Sequence, residues 1–385
     1  MKYRKFGSLN FKASALGFGT MRFPIIEDVS AGNNAAEKVV DEKEAIRMVR
    51  HAIDEGVNYI DTAYGYHGGK SEIITGKALK DGYRSKVALA TKSPVWLINK
   101  PDDFDRLLGE QLNKLDTEYI DFYLLHALDK DRWRNTVLKH NVLERAETAK
   151  KAGKIKHIGF SFHDDFDAFK EIVDGYDKWE FCQIQYNYMD INNQAGTEGL
   201  KYAASKGIAV VIMEPLLGGK LANPPQDVKA IMDGEKKDWS PSRWALQWLW
   251  SQPEVSVVLS GMSDIKQVED NLNSAKNYYD GPMSYEDAQV IDNVRRRYEQ
   301  RMAIPCTACR YCMPCPNNVD IPRNFSLYND SIAHEDLEGS QKNYRNFMDA
   351  KSRAGECIQC RICEDKCPQR IKISEWMPKV HEALK

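Results

Sequence analysis

Between residues 15 and 275, short apolar runs alternate with longer segments whose apolar positions recur every three or four residues. The runs fall at 15–20, 58–63, 87–92, 120–126, 155–161, 181–187, 208–215 and 256–262. Most are near-continuous Val, Ile, Leu and Phe, the composition of strands buried on both faces. The segments between them are amphipathic. In 42–55, Ile46, Val49 and Ile53 share one face, and Asp41 stands at the N-cap with Glu44 three residues on. Others cover 102–115, 137–151, 165–173 and 196–205. Gly56, Gly153 and Gly207 follow three of these at C-cap positions. Eight strands separated by seven helices predict an α/β fold, a (β/α)8 TIM barrel over residues 1–280. A doubly wound sheet is the competing fold, but no Gly-x-Gly-x-x-Gly opens the first strand–helix turn.

The pattern then changes. A helix is expected at Tyr285–Arg301, inside a bridging segment 281–305. Residues 306–385 form a separate unit whose connecting stretch 321–356 is polar and helical in character. Eight of the nine cysteines lie here, in two runs. The first is Cys306-x2-Cys309-x2-Cys312-x2-Cys315-Pro316 and the second is Cys357-x2-Cys360-x2-Cys363-x3-Cys367-Pro368. The second has the bacterial ferredoxin spacing; the first is one residue short in its last gap. One tight loop at this spacing presents three thiolates to an iron–sulfur cube, and the fourth comes from the other run. The runs therefore predict two [4Fe–4S] clusters. Cys306, Cys309 and Cys312 pair with Cys367, and Cys357, Cys360 and Cys363 pair with Cys315. A zinc ribbon would use two separated CxxC pairs. Metal ligation, rather than a large core, is expected to hold this ferredoxin-like unit together.

Composition narrows the functions. Net charge is −2 and no strongly basic patch stands out, which argues against a nucleic-acid partner. The longest apolar runs have strand length, so no membrane span is expected. Met1-Lys2-Tyr3-Arg4-Lys5 leads into no apolar signal core, and outside the two runs only Cys182 remains. A cytoplasmic protein is expected on both counts. Cys182 itself reads as a small buried apolar residue. Trp239, Trp244, Trp248 and Trp250 have partial helix spacing and read as packing between the barrel and the tail or a neighbour.

Chemistry in such a barrel sits at the C-terminal ends of the strands. Asp61, Lys92 and His126 end the second, third and fourth runs, and Tyr66 lies five residues past Asp61. A charge at the end of a buried strand needs a partner or a task. Tyr64 is a competing tyrosine.

Asp, Tyr, Lys and His in this order resemble the catalytic tetrad of the aldo-keto reductases. Local text resembles them too: Leu16-Gly17-Phe18-Gly19-Thr20-Met21, Asn58-Tyr59-Ile60-Asp61-Thr62-Ala63-Tyr64-Gly65-Tyr66, Ser71-Glu72, Ile158-Gly159-Phe160-Ser161, Gln183-Ile184-Gln185-Tyr186-Asn187, Pro215-Leu216 and Val268-Glu269-Asp270-Asn271. The appended cysteine unit matches a branch with a ferredoxin-like C-terminus. The resemblance implies reduction of a small carbonyl compound, or oxidation of an alcohol, with NADPH or NADH. It makes Tyr66 the acid and His126 the group that orients the carbonyl oxygen. Lys92, paired with Asp61, is then expected to lower the phenol pKa from its ordinary ~10.

Cofactor contacts implied by the resemblance involve Gly19, Thr20, Met21 and Asp61 at the mouth, with Ser161 and Gln183 on the nicotinamide carboxamide. Phe162 stands where the family usually has Asn. Met213 occupies the place of the stacking aromatic; Pro215 and Leu216 follow it. Gly218, Gly219 and Leu221 belong to the loop expected over the pyrophosphate. Gly261, Met262 and Gln267 stand where NADP-selective members place cations, with Lys266 the one cation nearby, and Asn271 is assigned to the adenine. Without a fork of cations a 2′-phosphate is poorly held, so NADH becomes plausible. The clusters are expected to serve an electron-carrier protein or to anchor the tail. The competing reading is a redox-sensing or electron-transfer protein whose barrel binds nucleotide without turnover.

Overall fold

The structure, a computed structural model, describes residues 1–28, 37–235 and 238–385. Eight parallel strands close into a barrel: β1 (Leu16–Gly19), β2 (Tyr59–Asp61), β3 (Ala88–Ser93), β4 (Ile120–Leu128), β5 (Ile155–Phe162), β6 (Phe181–Gln185), β7 (Ala209–Met213) and β8 (Val255–Gly261). Each strand pairs with its sequence neighbours, and β8 pairs with β1 through Val258↔Leu16 and Gly261↔Gly19. The strands are buried on both faces. Outward residues such as Ile60, Tyr123, Ile158 and Ile184 join the core beneath the helices. Inward residues such as Tyr59, Phe122, Phe181 and Val257 fill the barrel. Phe6 plugs its N-terminal end, 4.7 Å from the Phe122 ring. The plug leaves the opposite end as the place for chemistry.

The helices follow from local rules. Asp41 caps the first, Glu42–Asp54, by accepting from the Glu44 N–H at 3.0 Å. Gly56, Gly153 and Gly207 all take positive φ just beyond helix ends. The helix Lys70–Ala78 escaped the pattern because its buried side carries the polar Ser71, Glu72 and Thr75 while Ile73 is exposed between Lys70 and Lys77, so no apolar stripe can be read. The expected helix 137–151 instead begins at Val142, after a wide π turn at Trp133–Leu138.

Two of the four tryptophans pack within the barrel rather than against the tail or a neighbour. Trp250, on the helix Pro241–Trp250, donates to the Ala15 carbonyl at 3.0 Å inside the barrel core. Trp248 packs on Tyr186, with centroids 5.1 Å apart. Both serve the barrel itself. Cys182 is buried in that core, where burial pushes its thiol well up.

Contacts divide the chain into two compact units, Met1–Gly218 with Ser242–Met283, and Gly219–Pro241 with Ser284–Lys385. In the second, Asp227 joins the helix Gln226–Glu235 to Tyr285–Arg301, accepting from Arg297 Nε at 2.6 Å and Arg301 Nη1 at 2.8 Å. Helices Ile321–Ala333, Leu337–Asn346 and Ile373–Leu384 enclose a small apolar cluster that includes Ile304, Phe325, Met377 and Val380. Among the described residues no helix is long and apolar enough to cross a membrane.

Candidate active site and cysteine cavities

The C-terminal ends of β2 and β3 meet at one ion pair. Lys92 is almost fully buried, and its ammonium donates to Asp61 Oδ1 at 2.6 Å, the Thr62 carbonyl at 2.8 Å and the Tyr66 hydroxyl at 3.3 Å. Three acceptors match the three donors of an ammonium. Burial disfavours the charge on Lys92, but Asp61 and Tyr66 outweigh it and raise its pKa. Burial also raises Asp61, against the pull of Lys92, and its Oδ2 has no partner among the described residues.

The expected lowering of the Tyr66 pKa is reversed. Lys92 does pull the phenol down, but burial pushes it up further, and the net direction is upward. Removing a phenolate from water costs more than one ammonium at 3.3 Å recovers here. The competing Tyr64 is engaged elsewhere: it donates to Glu110 at 2.9 Å, under the Lys114 ammonium.

His126, on β4, stands edge-on to Tyr66, with centroids 6.3 Å apart at 81°. Burial, then Lys92, pushes its pKa well below the usual imidazole range, so the ring is neutral at pH 7. Its Nδ1 is buried without a partner among the described residues. Trp96, 5.0 Å away, walls this side of the mouth, and the Arg132 guanidinium lies over the Trp96 ring. Sequence reasoning missed Trp96; its signal was a tryptophan four residues past Lys92, just after Pro94.

Lys92 is also held from behind. The fully buried Glu72 accepts from Thr91 Oγ1 at 2.7 Å and Gln111 Nε2 at 2.6 Å, and Gln111 donates to the Lys92 carbonyl at 3.0 Å. Tyr123 donates to Gln111 Oε1 at 2.6 Å, closing the network. It locks the backbone that aims Lys92.

The remaining residues divide by availability. Gln183 Oε1 is buried without a partner among the described residues, while its Nε2 lies 3.5 Å from Met213 Sδ. Ser161 Oγ accepts from the Ala127 N–H at 2.7 Å and keeps its own proton to donate. This donor and acceptor suit a carboxamide. Met21 is exposed and Gly19 ends β1. Thr20 is spent internally, 2.7 Å from Ser71 Oγ. Met262 packs into the apolar core, so only its backbone is free for a nucleotide. Asn271 donates to Ser260 Oγ at 2.9 Å, and Gln267 Oε1 accepts from the Ser263 N–H at 2.9 Å. Leu216 and Gly218 follow the buried Pro215, and the Gly218 N–H donates to Glu214 at 2.5 Å. Arg22, not singled out from sequence, faces Glu214 at 3.8 Å and lies against the open α-carbon face of Gly261.

The cysteines line two cavities in the second unit. Cys306, Cys309, Cys312 and Cys367 border the first, and Cys315, Cys357, Cys360 and Cys363 the second. Among the described residues no three Cys, His, Asp or Glu side chains converge at the spacing of one metal ion. The thiols surround cavities instead.

A model of the aldo/keto reductase family matches residues 15–292. This chain belongs to that family. The 4Fe-4S dicluster domain matches residues 305–372 of the same aldo-keto reductase. L-galactose dehydrogenase of Arabidopsis thaliana is 28% identical over 296 residues, 71% of this chain and 87% of the relative. The uncharacterized oxidoreductase YrpG of Bacillus subtilis is 30% identical over 322 residues, 72% and 91% of the two chains. Among solved structures, the holo form of an aldo-keto reductase from Bacillus halodurans has a TM-score of 0.61 at 25% identity, over 76% of this chain and 96% of that one. An NADPH complex of an aldo-keto reductase from Klebsiella pneumoniae, at 23% identity and a TM-score of 0.60 over 76% and 95%, shares the fold.

Proposed function

We propose that the barrel interconverts a small carbonyl compound and its alcohol, with Tyr66 as the proton donor in reduction. The buried chain Asp61–Lys92–Tyr66 carries this reading, because it holds one phenol hydroxyl beside a fixed cation at the barrel mouth. A reduced nicotinamide, NADPH or NADH, supplies the hydride when bound. Ser161 and Gln183 hold its carboxamide, the one by its free O–H and the other by its unpartnered Oε1. His126, neutral at pH 7, donates to the carbonyl oxygen and sets its approach to Tyr66. Lys92 stabilises the phenolate left after the proton moves, so the raised resting pKa of Tyr66 keeps the acid loaded rather than opposing the step. Trp96 excludes water from that side.

We further assign two [4Fe–4S] clusters to the two cysteine quartets. The quartets border separate cavities, each with three thiols from one run and one from the other. Iron–sulfur clusters supply one-electron chemistry when bound, whereas hydride carries two electrons. The cysteine unit therefore serves an electron carrier or a docking role beside the barrel chemistry. The test is nicotinamide absorbance followed with an aldehyde panel, anaerobically, in the parent chain and in Tyr66→Phe. Carbonyl-dependent oxidation that survives Tyr66→Phe at full rate removes Tyr66 as the acid. Iron near eight per chain is expected for two cubes, and about four refutes the second.

A further inference from the structure

The two cysteine loops share more than ligand spacing. Each reads Cys-x-x-Cys-Arg-x-Cys, with Arg310-Tyr311 in the first and Arg361-Ile362 in the second. Their backbones match as well. φ is 54° at Ala308 and 55° at Gln359, then 62° at Arg310 and 63° at Arg361. Left-handed backbone suits glycine, because a Cβ crowds the neighbouring carbonyl. The chain accepts that cost at the same point of both loops and places a long cation there. A local rule broken twice in the same way points to a use.

Exposure indicates which use. The second cysteine of each run, Cys309 or Cys360, is exposed, while the third, Cys312 or Cys363, is buried. The arginine directly follows the exposed cysteine. Next comes a large apolar side chain left in water: Tyr311 is 67% exposed and Ile362 is 49% exposed. Lys366, Arg370 and Lys372 are exposed beyond the second loop. The acids there are Glu364, which accepts from Ser374 Oγ at 2.6 Å and stays ionised, Asp365, and Glu375, 3.5 Å from Lys372. The surrounding charges are therefore mixed, and the repeated feature is the one exposed arginine that directly follows each exposed cysteine. The Arg310 side chain is 60% exposed even with Asp320 at 3.8 Å. Cations in water add little to a neighbouring group's stability, but they steer charged partners effectively.

We propose that the pairs Arg310–Tyr311 and Arg361–Ile362 are docking points for an acidic one-electron carrier protein. Cys309 and Cys360 are then the ligands through which electrons cross. The inference rests on the two-cluster reading above. In each exchange the reduced carrier loses one electron and an oxidised cluster gains it; no bond forms and no proton moves.

The test uses the full, iron-loaded chain and a plant-type [2Fe–2S] ferredoxin of net negative charge. Affinity is measured by calorimetric titration across a salt series, and cluster reduction by stopped-flow absorbance. Arg310→Gly with Arg361→Gly removes both cations while suiting the positive φ, and iron analysis checks that clusters remain. About a tenfold loss of affinity at low salt is expected, with a flatter salt dependence. Tyr311→Ser with Ile362→Ser should weaken affinity and leave the salt slope intact. Reduction by methyl viologen, a cation, should not slow. Unchanged affinity and slope in the iron-replete double arginine variant overturn the proposal. So does a rate that merely follows a shifted midpoint potential, or a parent chain that does not bind the ferredoxin. If the arginine variant loses iron, Lys372→Glu, outside both loops, must lower affinity in the same salt-dependent way. Low iron in the parent chain would strike the two-cluster reading instead.

Discussion

In the barrel, Lys92 sits at full depth with three acceptors supplied by the fold, and Glu72, Gln111 and Tyr123 brace its backbone from behind. In the second unit, Cys309 and Cys360 stand exposed on loops bent through left-handed residues, over an apolar cluster of a few helices. The barrel meets the cost of a buried charge with hydrogen bonds set in place by strand register, so its chemistry is built before a ligand arrives. The cysteine unit spreads its donors around cavities, so much of its cohesion has to come from what they ligate. One region is organised by burial, the other by coordination.

The sharpest way to break the contrast is at Tyr66. Tyr66→Phe should cut carbonyl turnover by about 10²–10⁴-fold, while melting temperature and iron content hold, since among the described residues the hydroxyl has only Lys92 as partner. Steady-state kinetics beside calorimetry checks it. Lys92→Met comes next. It strands the Asp61 carboxylate at depth and should cost about 3–5 kcal/mol of barrel stability, read by denaturant unfolding. Iron removal should act on the other side. A strong chelator should expose 306–372 to proteolysis while the barrel keeps its near-ultraviolet signal; equal protection with and without iron would erase the distinction.

A smaller effect separates the regions by pH. His126 in the barrel and His334 in the second unit are both held below the ordinary imidazole value, chiefly by burial, His334 down to about 4. Each folded pKa lies below the unfolded value of ~6.5, so the unfolded chain binds more protons as pH falls. Their contributions are complete above that value and are lost as pH drops through it toward each folded pKa. His334→Gln should flatten the acid limb of unfolding for the second unit alone. The smallest expected effect is at Cys182: Cys182→Ala should cost about 1 kcal/mol from the barrel core and leave turnover unchanged.

How much was legible varied with the kind of signal. The eight strands were, because runs buried on both faces are continuous in sequence, and Asp61, Lys92 and His126 could be read as strand-end charges. The helix Lys70–Ala78 was not, because polar Ser71, Glu72 and Thr75 on its buried side and Ile73 on its exposed side erased the apolar periodicity. Nor was the state of Tyr66. Its spacing from Asp61 is in the text, but the balance between desolvation and the Lys92 field depends on depth. Thr20 and Met262 show the same limit: their place near the mouth could be read, and the direction of their side chains, into the protein, could not.

By itself the sequence determined the (β/α)8 order, the residue types at the mouth and the thiolate spacing. These are properties of neighbours along one chain, carried by periodicity and short-range geometry. Only the tertiary structure decided how far Tyr66 lies from Lys92, and that burial outweighs the ammonium on the phenol. Those outcomes depend on distances between residues remote in sequence and on how much water is excluded around them, and neither is local to any motif.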